Sequence, residues 1–579
     1  MNLVIQKRGL HQYVSLRESY WDPVCRKYTS RTIENFGRLD LLLEKDPNIL
    51  ETLRARAEDS KKSKLADREA ALEQKISKLT KAGPSPQSFD DNPTVMIGPC
   101  VFWQLWVKLG MPRRLREIQH EGKTRFDFPA AAFYLTAARI LMPDSKLAQW
   151  NGRNQFLYGC SGMKLEHFYR TIDLLIAHKN KIVKYLNAQI KKVYDRKVTA
   201  ALYDVTTYWF ESQDSDTLRN FGFSKDCRVN QVQVVMGFVI DQNGIPIDYE
   251  LYPGNTSEFG TMIPLIKQLK EVYGIRKIVV TADRGLNSGS NLLALKELGL
   301  DYVIAFRLRN AGAEIRKLIQ DQEGWISRSA DRLPDVSKYR LATETRRVRQ
   351  NDPETGRPVF VNVTSQLLIS YSARRARKDR HDRQRLLDKA QRYENNPGLL
   401  KSDLRRGGKS FLKISDDPID VRLDAEKVRQ AELFDGYYGI VYSDKTMPVE
   451  KVLGIYHSLW QIEESFRISK SILEARPCFH WAERRIRGHF FICFMALVLH
   501  RLLEKEIADS GVHLTADAIV DSLRDARLTE YLSPGGQKFY GKSSTKGDFA
   551  TIAKIVGLGD LPRCATSAEV RKALRIRNL

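Results

Sequence analysis

Short apolar runs alternate with helical patterns through the middle of this chain. Val198 to Tyr203 is nearly continuous in apolar side chains, as expected of a strand covered on both faces, and it stops at Asp204. Gln231 to Ile240 and Ile245 to Tyr252 read as strands joined through Asp241-Gln242-Asn243-Gly244, whose Asn-Gly pair is a strong hairpin signal. A helix over roughly Met262 to Tyr273 leads into Lys277 to Ala282, a second apolar strand that stops at an Asp, Asp283. The helix Asn291 to Leu298 and the strand Tyr302 to Phe306 complete the order β, β-hairpin, α, β, α, β. That order predicts a mixed α/β sheet of five strands.

The flanks carry other textures. Residues 10 to 37 alternate polar and apolar around Trp21-Asp22-Pro23 and read as a small basic hairpin; residues 41 to 81 are highly charged helix formers. Ala82-Gly83-Pro84-Ser85-Pro86 through Pro93 ends that element as a linker, which sets a boundary near residue 90. From Met96 to about Lys192 the pattern is mainly helical, with apolar stretches at Phe102 to Leu109 and Ala130 to Leu141. After Arg307 comes a long basic stretch with weak strands at Val359 to Val363 and Leu367 to Ser370 and a charged helix from Arg374 to about Tyr393. It reads as an insertion in the sheet domain, closed by the strand Tyr437 to Tyr442. Met447 to Glu474 returns to a strong helical pattern, and the last hundred residues read as helical. The expected division is 1–90, 91–195, 196–309, 310–445 (the insertion) and 446–579.

Composition adds a partner class. A chain of 579 residues is too long for one core and should hold three to five domains. With 42% hydrophobic and 28% charged residues it has the make-up of a globular protein. Lys plus Arg exceeds Asp plus Glu by 94 − 70 = 24, so a polyanion is the expected partner, nucleic acid first. The start, MNLVIQKRGL, lacks the apolar core of a signal peptide, and the longest apolar run, Phe490 to Leu499, is too short to cross a bilayer. An intracellular protein without membrane attachment is expected. Seven cysteines are scattered with no close pair, so reduced thiols are the default.

The candidate chemistry lies in three acids. If the strands ending at Asp204 and Asp283 are parallel neighbours, their carboxylates converge at the carboxyl edge of the sheet. Converging anions repel unless a cation lies between them, and hard oxygen ligands suit Mg²⁺ or Mn²⁺. A lone Asp at a strand end is, however, commonly a turn or cap residue. The third acid lies in Ile455 to Lys470, where Tyr456, Glu463 and Lys470 follow at seven-residue steps and so share one helical face. Glu463, in an aromatic and apolar stripe, needs a partner: a metal, or Lys470 or Arg467 at the surface. Glu464 is the reserve ligand.

Together these residues resemble a known family. Tyr456-x2-Leu459-x3-Glu463-x6-Lys470 is similar to the Tyr-x2-Arg-x3-Glu-x6-Lys signature of DDE transposases of the insertion-sequence-four type, bacterial enzymes with a ribonuclease H-like core. Asp204 and Asp283 fall where the family carries its first two acids, and the interval from 283 to 463 matches its insertion domain. Thr206, Gly285 and Pro253-Gly254-Asn255-Thr256-Ser257-Glu258 also look similar. The resemblance covers about residues 196 to 308 and 434 to 500, and the conjunction is more specific than any one piece. Leu459 stands where the family has Arg; an aliphatic side chain holds no phosphate, so the resemblance leaves both a DNA-hairpin and a non-hairpin route open, with Trp460 or Arg467 as partial substitutes.

The resemblance implies a ribonuclease H-like mixed sheet interrupted by a long insertion, between α-rich N- and C-terminal regions. It implies in-line phosphoryl transfer with two metal ions about 4 Å apart, bridged by Asp204 and completed by Asp283 and Glu463. Tyr456, Trp460, Arg467 and Lys470 become DNA contacts, Lys470 to a backbone phosphate. Trp209 has a stacking role or a core role, and His489 a structural one. The partners implied are double-stranded DNA with terminal inverted repeats and target DNA, bound as a homodimer in a bacterial cytoplasm, acting on the nucleoid. Arg374-Arg375-Ala376-Arg377-Lys378-Asp379-Arg380 either tracks DNA or is a solvated helix, and Arg17, Arg26, Lys27 and Arg31 join in end recognition. Two alternatives remain open: a metal-dependent nuclease that does not join, and an inactive DNA-binding regulator.

Overall fold

The computed structural model describes residues 2–9, 11–22, 27–81, 93–157, 160–222, 230–257, 260–271, 279–282, 286–327, 336–351, 357–396, 411–416, 419–532, 537–542 and 547–576. Two compact units divide the chain, one of residues 1–104, 152–161 and 510–579, the other of residues 105–151 and 162–509.

The second unit is built on one mixed sheet. Its strands in chain order are β1 (Ala200–Trp209), β2 (Gln233–Asp241), β3 (Pro246–Pro253), β4 (Val279–Ala282), β5 (Asp301–Phe306), β6 (Ile326–Ser327), β7 (Lys338–Asn351), β8 (Pro358–Tyr371) and β9 (Tyr437–Tyr442). The spatial order is β6-β7-β8-β9-β5-β4-β1-β2-β3. Only β1, β4 and β5 run parallel, with Tyr203 beside Ala282 and Ala282 beside Ile304. Those strands are buried along almost their whole length, as the continuous apolar runs predict. The β2–β3 hairpin turns at Gly244, whose φ of +79° a side chain would disfavour. Asp241 fixes that turn by accepting from the backbone N–H of Asn243 and of Ile245, each at 2.9 Å.

Three expectations are corrected here. First, β1 does not stop at Asp204: it runs on to Trp209, because Thr206 to Trp209 favour extended backbone and stay paired with Met236 to Gln233 of β2. Asp204 therefore lies inside the strand. Second, the sheet has nine strands rather than five. The two weak strands are one, β8, and β7 beside it escaped notice because KYRLATETRRVRQN alternates exposed and half-buried positions without an apolar run. Third, the helical pattern around Glu463 is two helices. The insertion contributes α1 (Ala373–Asn395); after β9 come α2 (Val449–His457) and α3 (Trp460–Ser471).

Behind the sheet lies a helical core. Phe128–Leu141 is buried at nearly every position; Asp127 caps it by accepting from Ala130 N–H at 3.1 Å, with Pro129 in its first turn. The long helix α4 (Glu483–Asp509) packs on it and on Leu165–Ala177. At the crossing Gly488 admits no side chain: a Cβ there would lie 2.3 Å from Ile172 Cγ2. By length and composition α4 is apolar enough to cross a membrane, but 89% of its apolar window is buried within the protein, as in a core helix.

The first unit holds a three-stranded antiparallel sheet (Asn2–Arg8, His11–Asp22, Lys27–Arg38) followed by the helices Leu39–Lys45 and Ile49–Lys81. The expected hairpin is thus joined by a third strand. The linker after Lys81 and the Pro23 turn lie outside the described residues. The C-terminal region is not wholly helical: Arg527–Leu532, Lys538–Lys542 and Cys564–Thr566 form a four-stranded sheet with Thr94–Met96. These strands are short and half polar, which hides them from a reading by periodicity.

Candidate active site

Asp204 is the half-buried position in a stretch of β1 whose neighbours from Ala200 to Tyr208 are otherwise buried. Its carboxylate accepts from Val205 N–H at 2.7 Å. Across the sheet face lies α3, held by hydrogen bonding and ring packing. Ser469 Oγ and Tyr208 Oη are 2.8 Å apart, Phe466 packs on Phe238 at 5.9 Å, and Lys470 Nζ stands 5.7 Å from the Tyr208 ring centroid. From α4, Arg501 donates to Gln461 O at 3.1 Å and to Ser465 Oγ at 2.9 Å, holding the start of α3 on either side of Glu463 in sequence. Glu463 lies in the first turn of α3 and is exposed.

The break between α2 and α3 shapes the site. Leu459 N–H reaches Tyr456 O, and Ile462 N–H reaches Leu459 O, the tighter three-residue ladder of a 3₁₀ turn. Ser458 Oγ supports it by donating to Ile455 O at 2.6 Å, a local bond that competes with regular helix. One continuous face through Tyr456, Glu463 and Lys470 is therefore interrupted. Asp204, Glu463 and the turn Tyr456 to Gln461 line one cavity of about 650 Å³. Trp460 stands at it with 60% of its surface exposed.

A second cavity, of about 820 Å³, adjoins the first, since Glu463 and Tyr456 line both. Its other walls carry Arg307 and Arg309 beyond β5 and Arg375 and Lys378 of α1. Tyr456 is half-buried and stacks on Tyr438 at 6.1 Å. The acid on α3 therefore shares this cavity with four cationic side chains and Asp379.

Asp204, Glu463, Tyr456 and Trp460 are thus brought to one cavity. Asp283 lies outside the described residues, as do Gly285, Glu258 and Arg26. Arg467 and Lys470 are not among the described residues lining either cavity. Arg467 forms a two-pronged ion pair with Glu464, at 2.8 and 2.9 Å, which holds that carboxyl below its ordinary range. Glu464, the reserve ligand, is engaged there. The Arg476 guanidinium lies over the half-buried Trp209 at 5.5 Å. His489 is buried 3.1 Å from Ala475 O, and burial pushes it well below its ordinary range. At the N-terminal sheet Arg17 donates to Gln6 at 2.7 Å and Arg31 pairs with Glu18 at 2.8 Å. Sequence reasoning did not single out Arg307, Arg309 or Tyr438; no local pattern marks them, because only the sheet order brings them beside Glu463. Among the described residues no group of three or more His, Cys, Asp or Glu is arranged to hold a metal ion; Asp283 is not among them.

The segment Pro253-Gly254 is explained by crowding: a Cβ on Gly254 would lie 2.0 Å from Gln233 O. Residues 214–499, the stretch that carries most of this sheet and both helices of the site, match the family described as "Transposase DDE domain". That stretch is thus similar to the catalytic domains of DDE transposases. No curated protein matches it. Among solved structures, the synaptic complex of piggyBac transposase with hairpin DNA is similar at 10% identity and a TM-score of 0.32, over 74% of this chain and 80% of that one. A likeness that loose carries no argument.

Proposed function

We propose that the chain is a DNA transposase of the insertion-sequence-four type, which cuts transposon ends and joins them to target DNA at Asp204, Asp283 and Glu463. The observation that carries this reading is the shared cavity: Asp204 and Glu463, far apart in sequence, line one cleft, with Glu463 inside the stretch that matches transposase DDE domains and Asp204 on the strand just before it. Support for Asp283 comes from the parallel register that sets Ala282 beside Tyr203, since Asp204 and Asp283 are the residues that follow them in sequence. A ribonuclease H-like reading of the sheet rests on the order β3-β2-β1-β4-β5, with β1, β4 and β5 parallel and β2 reversed.

The donors suit Mg²⁺ or Mn²⁺: Asp204, Asp283 and Glu463 offer only carboxylate oxygens. Bound there, such ions would sharpen the nucleophile and stabilise the leaving oxygen in phosphoryl transfer. The chain's own residues do the rest. Asp204 is fixed by the sheet and Glu463 by the Arg501 clamp, while Tyr456 and Trp460 flank the strand to be cut. Water attack on the phosphodiester breaks the bond to the 3′ oxygen and leaves a 3′-hydroxyl. In joining, that hydroxyl attacks a target phosphate, forming a new phosphodiester as the target's own bond to its 3′ oxygen breaks and leaves a target 3′-hydroxyl. Bacterial cytoplasm and a homodimer on paired ends complete the reading.

The test is cleavage of a labelled duplex carrying the element's terminal repeat, with Mg²⁺, by the intact protein, Asp204→Asn and Glu463→Gln. Both variants should bind as the intact protein does and cut about 10³-fold more slowly or worse. Normal cutting by either variant would sink the assignment. A pre-cleaved end incubated with plasmid then separates joining from simple hydrolysis.

A further inference from the structure

We infer that the insertion helix α1 is part of the DNA-binding cleft: Arg375 and Lys378, with Arg307 and Arg309, form a wall that grips the phosphodiester backbone of the strand led to Glu463. This rests on the reading above and deepens it. Four cations and two carboxylates, Asp379 and Glu463, line this cavity. Asp379 is engaged: it accepts from Gly436 N–H at 3.0 Å and lies 3.7 Å from Arg375. A cleft so charged has no small apolar occupant, and a polyanion is its complement.

Rigidity separates this wall from a merely solvated helix. The start of α1 is pinned to the start of β9. Ser372 N–H donates to Gly436 O at 2.9 Å, and Ser372 Oγ caps the helix by accepting from Arg375 N–H at 3.2 Å. Gly436 has a φ of +80°, and a Cβ there would lie 2.8 Å from Ala376 Cβ and from Ser372 O, so helix and strand touch backbone to backbone. Two turns on from Ala376, buried Arg383 pairs with Asp435. The Arg375 guanidinium is itself seated over Tyr438, 5.3 Å from its ring centroid, which in turn stacks on Tyr456. The backbone of α1 therefore holds Arg375 and Lys378 one helical turn apart on the side that lines the cleft, whereas Arg377 and Arg380 of the same helix, equally exposed, do not line it.

The test uses the full chain and a labelled duplex of arbitrary sequence, because phosphate contacts are indifferent to sequence. Affinity is measured by anisotropy across a salt series without divalent metal, for the intact protein, R375A/K378A and R377A/R380A, each checked for an unchanged circular dichroism spectrum. Each phosphate contact contributes about 0.9 to the slope of log affinity against log salt. R375A/K378A should flatten that slope by about 2, while R377A/R380A leaves it within about 0.5. Equal slopes for the intact protein and R375A/K378A, or equal losses in both double variants, would overturn the wall. Binding without cleavage in Mg²⁺ or Mn²⁺ defeats the catalytic reading while the slopes still judge the wall; no binding at all overturns both.

Discussion

Among single residues, the one that governs Glu463 from a distance is Glu504. It holds Arg501 at 2.8 Å, and Arg501 holds the start of α3. Burial alone would raise the Glu504 carboxyl, but the His500 ring 3.5 Å away and the Arg501 guanidinium outweigh it and hold it down to about 2, against an ordinary 4.5. A carboxyl depressed by folding stabilises the protein above its unfolded value and loses that stabilisation as pH falls toward the folded one. The share from Glu504, up to about 3 kcal/mol, is therefore present above about pH 4.5 and lost between there and pH 2. Glu504→Gln should lower Tm at pH 7 and flatten the dependence of Tm on acid in that window. An unchanged acid profile would show that Arg501 needs no counter-charge. None of this is legible in the sequence, where Arg501 and Glu504 look like any i, i+3 pair on a helix.

For secondary-structure elements, the decisive contacts are close approaches. Gly488→Ala should cost about 1–3 kcal/mol, since the new methyl meets Ile172 at 2.3 Å and its carbonyl oxygen at 2.9 Å between two packed helices. Thermal melts of the variant check it, and a Tm equal to the unsubstituted protein would mean the helices part freely. Element existence was readable wherever a run was strongly apolar: β1, β2, β3, β4, β5 and β9 all fall where the pattern put them. The break between α2 and α3 was not, because Ser458 and Leu459 are tolerated in helices and only their hydrogen bonds reveal the 3₁₀ turn. Strand β7 was missed for the opposite reason: its partner β8, not its own composition, makes it a strand.

At the scale of the whole chain, an excess of 24 positive charges reaches chemistry only through its placement. If four of those charges meet phosphates in the cleft, raising salt from about 50 to 200 mM should weaken duplex binding about a hundred-fold or more. A salt-insensitive affinity would mean that the charge is not used on DNA. The sequence by itself determined the α/β class, the basic character and the candidate acids Asp204 and Glu463, because burial patterns, net charge and residue spacing are local or additive. Tertiary structure alone decided that β1 continues past Asp204, that the inserted stretch extends the sheet rather than leaving it, and that Arg307, Arg309, Arg375 and Lys378 converge beside Glu463. These depend on which strands become neighbours, and pairing between distant segments is set by packing that no single stretch of sequence encodes.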